Sequence, residues 1–249
     1  MVVQFAEVLA NGIERDLVLP RDYVSVTFEA NQGVFVRVDD GQYAAVPHTM
    51  SDDTVTIYAN SSATYANVTD TRTFDDIANI GAQDDIEFLA SRYVVNGTSD
   101  TTYEPTAFIT RAQFGAMIAR ALNLQATGDT VYDDVKGAWY ETHIQALYEA
   151  GITNAAGSFN PTALLTREQA AAFMFRTLQY VNDRVETTTT LSYADSETVH
   201  AQFIEAVSTL QTLGIMEGKE GNLFDAKGNL TRAQMAKILR RTLQHANMM

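Results

Sequence analysis

The sequence predicts an α+β protein in separate domains, in which a small antiparallel β-sandwich or barrel precedes an all-α part of three repeated units. Two observations support this prediction. Apolar and polar residues alternate with period two over the first 70 residues, and a series of motifs recurs three times after residue 73. We expect the β-rich module to span 1–70 and the three units to span 74–126, 132–184 and 193–247.

The β-rich module contains five segments in which β-branched and aromatic residues occupy alternate positions, a pattern typical of half-buried strands. Turn residues at 31–33 and 39–41 predict hairpins between the first three segments. A module of this size buries only a modest core. We therefore expect it to gain stability by docking on a larger assembly or on copies of itself. The five segments are 23–28, 33–38, 43–46, 54–58 and 65–68.

Each repeated unit enters a helix through the sequence Thr-Arg-x-Gln. The threonine can accept a hydrogen bond from the backbone N–H three residues on, and the glutamine can reach back to the threonine's own N–H, which forms a capping box. Apolar residues then recur at helical spacing, and a second amphipathic helix precedes each box. Each unit therefore contains two helices. The three boxes begin at Thr110, Thr166 and Thr231.

Two further motifs lie between these helices and ahead of them. An aromatic-led acidic box opens each unit, and a turn rich in glycine or asparagine separates the two helices. Such residues tolerate the left-handed conformation in which helices commonly end. The acidic boxes supply Asp76, Asp134 and Asp195, and the turns supply Gly97, Ala155 and Gly218.

An arginine follows the capping threonine in all three units, although local physics does not favour it there. A cation at the first helical position opposes the macrodipole by a few tenths to about 1 kcal/mol. The same helix end offers backbone N–H groups, so a guanidinium beside it suits a carboxylate or phosphate. The alternative is that each arginine pairs with a structural carboxylate, such as Asp76, Asp134 or Asp195. Both interpretations can hold at different copies. The arginines are Arg111, Arg167 and Arg232.

The order of these motifs over residues 74–247 resembles the S-layer homology domain of bacterial cell-surface proteins, in which three copies are usual. The resemblance implies a pseudo-threefold helical arrangement whose grooves between units bind secondary cell-wall polysaccharide. The ligand it implies is a pyruvate-ketal sugar, whose carboxylate is the kind of anion that the arginines suit. The residues assigned to carbohydrate binding are Arg111, Arg167, Arg232, Gly97, Gly218, Asp76, Asp134, Asp195 and Trp139.

The three units depart from the family pattern in different ways. Ala155 replaces the turn glycine in the second unit, and Trp139 has no counterpart in the other two units. Tyr93 stands where a helix-ending glycine is expected, and Ala226 replaces a proline. We therefore expect one or two grooves to bind sugar, and we expect the groove that uses the turn of Ala155 to be the weakest candidate.

Composition narrows the possible partners. The chain has 17 basic and 31 acidic residues and a net charge of −14, which disfavours nucleic acid and anionic lipid. No apolar run approaches the roughly 18 residues of a membrane span. The four histidines lack metal-ligand spacing, and adjacent acids do not show the facing geometry of a glycosidase. We therefore expect a non-catalytic protein with neither metal nor cofactor.

These patterns favour a carbohydrate-binding anchor whose β-rich module joins it to a larger assembly, either a surface layer or a virion, with self-association as a possibility. The alternative is a structural or decoration protein of a phage or injection particle, in which the repeats serve adhesion or act as a spacer. Residues 1–15 do not have the pattern of a secretory signal. We expect a cell-surface or virion-surface location, reached after loss of a leader or by another export route.

Overall fold

The computed structural model describes residues 23–30, 33–154, 157–182 and 184–249, together with the backbone of 2–3, 6–8 and 14–16. The described residues of its first part form nine strands, all paired antiparallel. They are β1 (Val2–Val3), β2 (Ala6–Val8), β3 (Glu14–Asp16), β4 (Val24–Glu29), β5 (Val34–Asp39), β6 (Gln42–Ala45), β7 (His48–Ser51), β8 (Thr54–Ala59) and β9 (Ala63–Val68).

Two sheets, in the orders β1-β9-β5-β6 and β4-β8-β7, form the body of this part. Phe35 and Tyr65 from the first sheet pack in one buried cluster with Val55 and Ile57 from the second. The β-module is therefore a sandwich. All five expected strand segments are present. Four strands were not expected. They are the short β1, β2 and β3, which precede the first expected segment, and β7, whose sequence, His-Thr-Met-Ser, lacks an apolar alternation.

The expected hairpin between β5 and β6 is confirmed. Asp40 and Gly41 both have positive φ, at 47° and 78°, and Asp39 pairs with Gln42 across the turn. Two consecutive residues with positive φ suit the twist of a tight hairpin, and glycine adopts this conformation without steric cost. Two residues of the other expected turn, 31 and 32, lie outside the described residues.

In the second part, the residues that the structure describes form six α-helices, two from each unit. They are α1 (Gln83–Ser91), α2 (Arg111–Ala121), α3 (Glu141–Glu149), α4 (Arg167–Val181), α5 (Ile204–Thr212) and α6 (Arg232–His245). The second helix of each unit packs against the first helix of the next, as α2 on α3, α4 on α5 and α6 on α1. Because the last of these contacts returns to the first unit, the three units close into a pseudo-threefold arrangement.

A ring of backbone hydrogen bonds joins the units at the centre. The N–H of Ile109 donates to Leu230 at 3.0 Å, that of Leu230 to Leu165 at 3.0 Å, and that of Leu165 to Ile109 at 3.1 Å. These three residues precede the capping threonines and are fully buried. Each unit thus satisfies a buried polar group of another, so the second helices all start from one point.

The expected capping boxes are present in all three units. The hydroxyl oxygens of Thr110, Thr166 and Thr231 accept from the N–H groups three residues on, at 3.3, 3.4 and 3.2 Å. In return, each glutamine side chain accepts from the N–H of its threonine, at 3.0, 3.2 and 3.1 Å. These caps fix where α2, α4 and α6 begin.

The β-module packs directly against the helical part. The Tyr23 hydroxyl donates to the carbonyl of Leu122 at 2.6 Å, and the Asn60 amide donates to the carbonyl of Asn123 at 2.8 Å. The backbone N–H of His48 donates to the carbonyl of Met248 at 3.1 Å. The module therefore docks on the first unit and on the carboxyl-terminal residues, and part of the surface expected to meet an outside partner is covered within the chain.

Candidate functional site

The three acidic-box residues hold loops within their own units. The carboxylate of Asp134 accepts from the N–H groups of Phe159 and Asn160 at 3.0 and 2.7 Å. Asp76 and Asp195 each accept two equivalent backbone bonds. Burial raises the pKa of Asp76 and Asp195, but the backbone donors outweigh it, so both pKa values lie below the usual range.

The alternative in which these carboxylates pair with the motif arginines is not what the structure shows. Across the described residues, Asp76, Asp134 and Asp195 form no ion pair with Arg111, Arg167 or Arg232. Their carboxylates accept hydrogen bonds from loop backbone N–H groups instead. The three acids therefore stabilise the loops of their own units.

Arg167 and Arg232 are bonded to backbone carbonyls of the following unit. The Nε and Nη2 atoms of Arg167 donate to Phe224 and Glu217 at 2.6 and 2.9 Å. Those of Arg232 donate to Tyr103 and Asn96 at 2.7 and 2.8 Å. The two arginines are only 4% and 5% exposed, so they connect units and present little surface to a ligand.

Arg111 is in a different environment. Its guanidinium lies 4.8 and 4.9 Å from the ring centres of Phe159 and Phe173. Its Nε is buried and has no hydrogen-bond partner among the described residues. The carbonyl of Asn154, which corresponds to those of Glu217 and Asn96, accepts instead from the Tyr132 hydroxyl at 2.7 Å. Arg111 is therefore the motif arginine that remains half-buried and available.

The expectation that the helix ends offer free N–H groups to an anion is wrong. The N–H groups of Arg111 and Ala112 donate to carbonyls of the second unit at 2.9 and 3.0 Å. The corresponding groups of α4 and α6 donate to the third and first units, and the third N–H of each helix is used by the cap. The neighbouring unit thus takes the donors that sequence reasoning assigned to a ligand.

A cavity of about 300 Å³ lies between the first and second units, and we name it the Arg111 groove. No acidic side chain lines it within the described residues. Arg176 accompanies Arg111 there, and its one hydrogen bond within the described ranges is a long one, 3.4 Å, to the carbonyl of Ile152. Apart from Ala172, the remaining lining residues are polar or aromatic. They are Tyr132, Asn154, Ser158, Phe159, Gln169, Ala172 and Phe173 from the second unit, and Gln202 and Phe203 from the third.

The equivalent cavity between the second and third units is smaller, about 160 Å³, and its charges are already paired. Glu217 occupies the position of Asn154 and forms ion pairs with Lys237 and Arg241, at 3.4 and 3.1 Å. Lys219 is bonded to Asp225 outside the lining. The guanidinium of Arg167 faces this cavity but is held by carbonyls. An incoming anion would have to displace a carboxylate here.

The interface between the third and first units lies beside the β-module. Asn96 and Arg120 of the first unit, which correspond to Asn154 and Arg176, line a cavity whose opposite wall is formed by residues 43–45 of β6, and no described residue of the third unit lines it. The three interfaces are therefore not equivalent, in agreement with the sequence expectation. They differ in the pairing of their charged side chains and in whether the β-module lies beside them.

Sequence analysis missed a second arginine that recurs ten residues after each capping threonine. Each donates to a carbonyl of its own unit's turn, at 3.3, 3.4 and 3.2 Å. The fixed spacing from the capping threonine could have identified these arginines. An arginine on the polar face of a helix is usually solvent-exposed, so the sequence alone did not single them out. These arginines are Arg120, Arg176 and Arg241.

The remaining predicted site residues have separate surroundings. A Cβ on Gly97 would lie 2.3 and 2.5 Å from the carbonyl oxygens of Ser99 and Thr102, so this turn requires glycine. Gly218 lines the cavity beside Arg167, and Ala155 lies outside the described residues. Trp139 is 60% exposed and does not line the Arg111 groove.

The described ranges also bear on metal binding and on membrane insertion. No cluster of three or more histidine, aspartate or glutamate side chains there could hold a metal ion. None of the helices there combines the length and the apolar character needed to cross a membrane.

The fold and the grooves define a class: a module of three helical repeats closed about an axis, with polar cavities between neighbouring repeats. The chain belongs to the S-layer homology family, since the S-layer homology domain model matches residues 73–114, 131–171 and 192–236. Domains of this family bind cell-wall polysaccharide and anchor proteins at the cell surface. The three matches therefore indicate that this chain carries anchoring repeats and is located at the cell surface.

Several curated proteins are similar to it over the repeats. An amylopullulanase of Thermoanaerobacterium thermosulfurigenes is 38% identical over 196 residues, 76% of this chain and 10% of that protein. An exoglucanase, XynX, of Acetivibrio thermocellus is 36% identical over 179 residues, 70% of this chain and 16% of that protein. The S-layer protein sap of Bacillus anthracis is 29% identical over 175 residues, 69% and 21% of the two chains. This chain thus spans a small part of each relative.

Proposed function

We propose that the Arg111 groove binds an anionic sugar of a secondary cell-wall polysaccharide, such as a pyruvylated residue, and so attaches the chain to the wall. The observation that carries this proposal is the state of Arg111. Its Nε is buried and unpartnered among the described residues, whereas Arg167 and Arg232 each donate two bonds to carbonyls. A ligand carboxylate would supply the missing acceptor.

The charge of the groove supports an anionic ligand. Two guanidinium groups, those of Arg111 and Arg176, meet there with no acidic lining residue in the described ranges, although the chain as a whole carries −14. Burial lowers the pKa of Arg111, which means that its charged form lacks full compensation. A carboxylate bound between the two cations would provide this compensation.

The aromatic lining supports a sugar as the carrier of that carboxylate. Four aromatic residues line the cavity, together with three amides, one hydroxyl, Ala172 and the two arginines. The aromatic residues are Tyr132, Phe159, Phe173 and Phe203. Apolar surface with a few placed polar groups is the usual composition of a small-ligand site. In this proposal the main groove is the one lined by Asn154 and Ser158, whereas the expectation drawn from the sequence was that the groove using the turn without a glycine would be the weakest candidate.

The test compares binding of a pyruvylated wall polysaccharide with binding of the same polysaccharide after mild acid removal of the ketal. Wild type is expected to bind the first at least tenfold more tightly, and Arg111→Gln to lose about tenfold or more, because a charge-assisted bond contributes roughly 1.5–3 kcal/mol. Calorimetry or sedimentation with wall material would measure both.

A matched control is Arg241→Gln, which removes the counterpart of Arg176 from the charge-paired cavity. Its binding should match wild type. Equal binding by wild type, Arg111→Gln and Arg176→Gln would contradict the proposal, as would equal binding of the two polysaccharides. Circular dichroism and melting curves must first show that all variants fold.

The β-module is proposed to connect the anchor to a larger assembly, through the faces that the helical part leaves uncovered. Val24 and Met50 are exposed by 39% and 37% on strands of this module. The described residues carry no feature specific to a virion protein, so the proposal is limited to a cell-surface assembly.

A further inference from the structure

A second cavity, of about 280 Å³, lies where the β-module meets the first unit and the start of α3, and we name it the interdomain cavity. Tyr43 and Arg37 belong to its β wall, and Arg120 and His143 to its helical wall. It is separate from the Arg111 groove, because the two cavities share no lining residue.

One cation in the interdomain cavity lacks an anionic partner. Arg37 is paired with Asp39 at 2.5 Å, but Arg120 forms no ion pair among the described residues and donates only to the carbonyl of Val94, at 3.3 Å. No acidic side chain lines the cavity in the described ranges. Burial lowers the pKa of Arg120, and no carboxylate offsets this effect. The cavity therefore favours one negative charge beside Arg120.

A second polar group points to a ligand rich in hydroxyl groups. The Nδ1 atom of His143 is buried and has no hydrogen-bond partner among the described residues. Burial, followed by the charge of Arg120, lowers the pKa of His143 to about 4, so the imidazole is neutral near pH 7. A neutral imidazole offers one donor and one acceptor, both of which a sugar hydroxyl can satisfy.

Aromatic side chains stand at the rim of the cavity. The Arg120 guanidinium lies 5.8 Å from the ring centre of Trp139, and the His143 ring lies 6.3 Å from it. Trp139 is 60% exposed and Tyr43 is 47% exposed. Large apolar faces kept in water beside polar groups mark a recognition surface. The flat apolar face of a sugar ring could cover such a ring.

We propose that the interdomain cavity is a second carbohydrate subsite, which takes one acidic sugar unit with its carboxylate on Arg120 and its ring against Trp139. The sugar can be the end of a longer glycan, because Trp139, which lies beside the lining residues Arg120 and His143, is largely exposed to solvent. The cavity exists because the β-module is docked, so this subsite is a property of the two parts together.

The chain carries its own reporter for this proposal, since Trp139 is its one tryptophan. Fluorescence of the full chain would be titrated with glucuronate and, for comparison, with glucose. Wild type is expected to show a saturable change with glucuronate, and glucose is expected to bind at least tenfold more weakly, because it lacks the carboxylate. Equal responses to the two sugars would overturn the assignment of an acidic ligand.

Two variants on opposite walls test the site, and a third serves as control. Arg120→Gln and Tyr43→Ala should each weaken glucuronate binding, the first by about tenfold or more. Arg176→Gln changes the counterpart of Arg120 in the Arg111 groove and should leave the Trp139 response unchanged. Melting curves would confirm that each variant folds, and proton NMR of the sugar would give a readout that does not depend on Trp139.

The outcomes separate this proposal from the one for the Arg111 groove. Absence of a saturable response in wild type, or an unchanged response in both Arg120→Gln and Tyr43→Ala, would overturn the second subsite and leave the groove untouched. Loss of wall-polysaccharide binding in Arg111→Gln with an intact Trp139 response would show that the two sites are independent, as proposed.

Discussion

The three motif arginines begin from the same local sequence but differ in their contacts. Arg167 and Arg232 each donate two hydrogen bonds to carbonyls of the next unit, whereas Arg111 stacks between aromatic rings beside an open groove. The same residue type at the same helical position therefore holds neighbouring units together at Arg167 and Arg232. At Arg111, in the first unit, it has no such bonds among the described residues.

This difference predicts opposite effects on stability and on binding. Arg232→Gln removes the donors of two bonds to buried backbone and should lower the free energy of unfolding by about 3 kcal/mol. Arg111→Gln removes none of these bonds and should cost less than about 1 kcal/mol. Urea unfolding followed by circular dichroism would measure both, and equal losses would contradict the assigned roles.

Sequence reasoning could locate the arginines but could not separate their roles. The capping boxes depend on residues three apart and were predicted in full. The fate of each guanidinium depends on a loop of the next unit, which lies 50 residues away for Arg167 and 136 residues away for Arg232. A contact over that distance in sequence leaves no local periodicity to detect.

At the scale of elements, the turns between helices decide how closely the loops approach the next unit. Gly97 has no room for a side chain, because a Cβ would lie 2.3 Å from a backbone oxygen, while a Cβ on Gly218 would lie 3.1 Å from the ring of Tyr193. The two turns are matched in sequence but differ in how tightly the chain folds back.

These distances predict unequal effects of the same substitution. Gly97→Ala must move the backbone and should lower the free energy of unfolding by about 1–3 kcal/mol, in the range of overpacked interiors. Gly218→Ala needs only a small shift of one ring and should cost less than about 1 kcal/mol. Thermal melting of the two variants provides the comparison, and a larger loss for Gly218→Ala would refute it.

Strand prediction also succeeded where the local pattern was clear. The segments with alternating β-branched residues became strands, and the turn at 39–41 formed a hairpin. The polar strand β7 was missed because it exists through its pairing with β8, where His48 lies opposite Ile57. Its place in the sheet is a property of the tertiary structure.

At the scale of the whole molecule, His48 lies at the joint between the β-module and the carboxyl-terminal residues. It is 1% exposed, its Nδ1 lies 3.0 Å from the carbonyl of Val46, and its backbone N–H is bonded to Met248. Burial lowers the pKa of His48 to about 4. A neutral side chain at this joint is therefore part of the docked state.

The pKa of His48 predicts how stability changes with pH. The unfolded chain, with a histidine pKa of about 6.5, takes up a proton as the pH falls, while the folded chain does not until about pH 4. Stability present above pH 6.5 is thus lost progressively between about pH 6.5 and 4. Between pH 7 and 5 the loss due to His48 should be about 2 kcal/mol.

The control for this prediction is His48→Gln, which retains a donor and an acceptor but cannot titrate. Its unfolding free energy should fall less than that of wild type over the same pH interval, since His143 contributes equally to both proteins. Identical pH profiles for the two proteins would show that His48 does not couple to folding in this way.

The ring of backbone bonds among Ile109, Leu165 and Leu230 has a consequence for chain connectivity. An excised single repeat would leave its central amide and carbonyl without partners, so the smallest cooperative folding unit is the complete trio. Because α6 already lies against α1, the trio has no structural first or last member. A circularly permuted trio, cut open between two repeats and joined by a linker from the third repeat to the first, would preserve every bond of that ring.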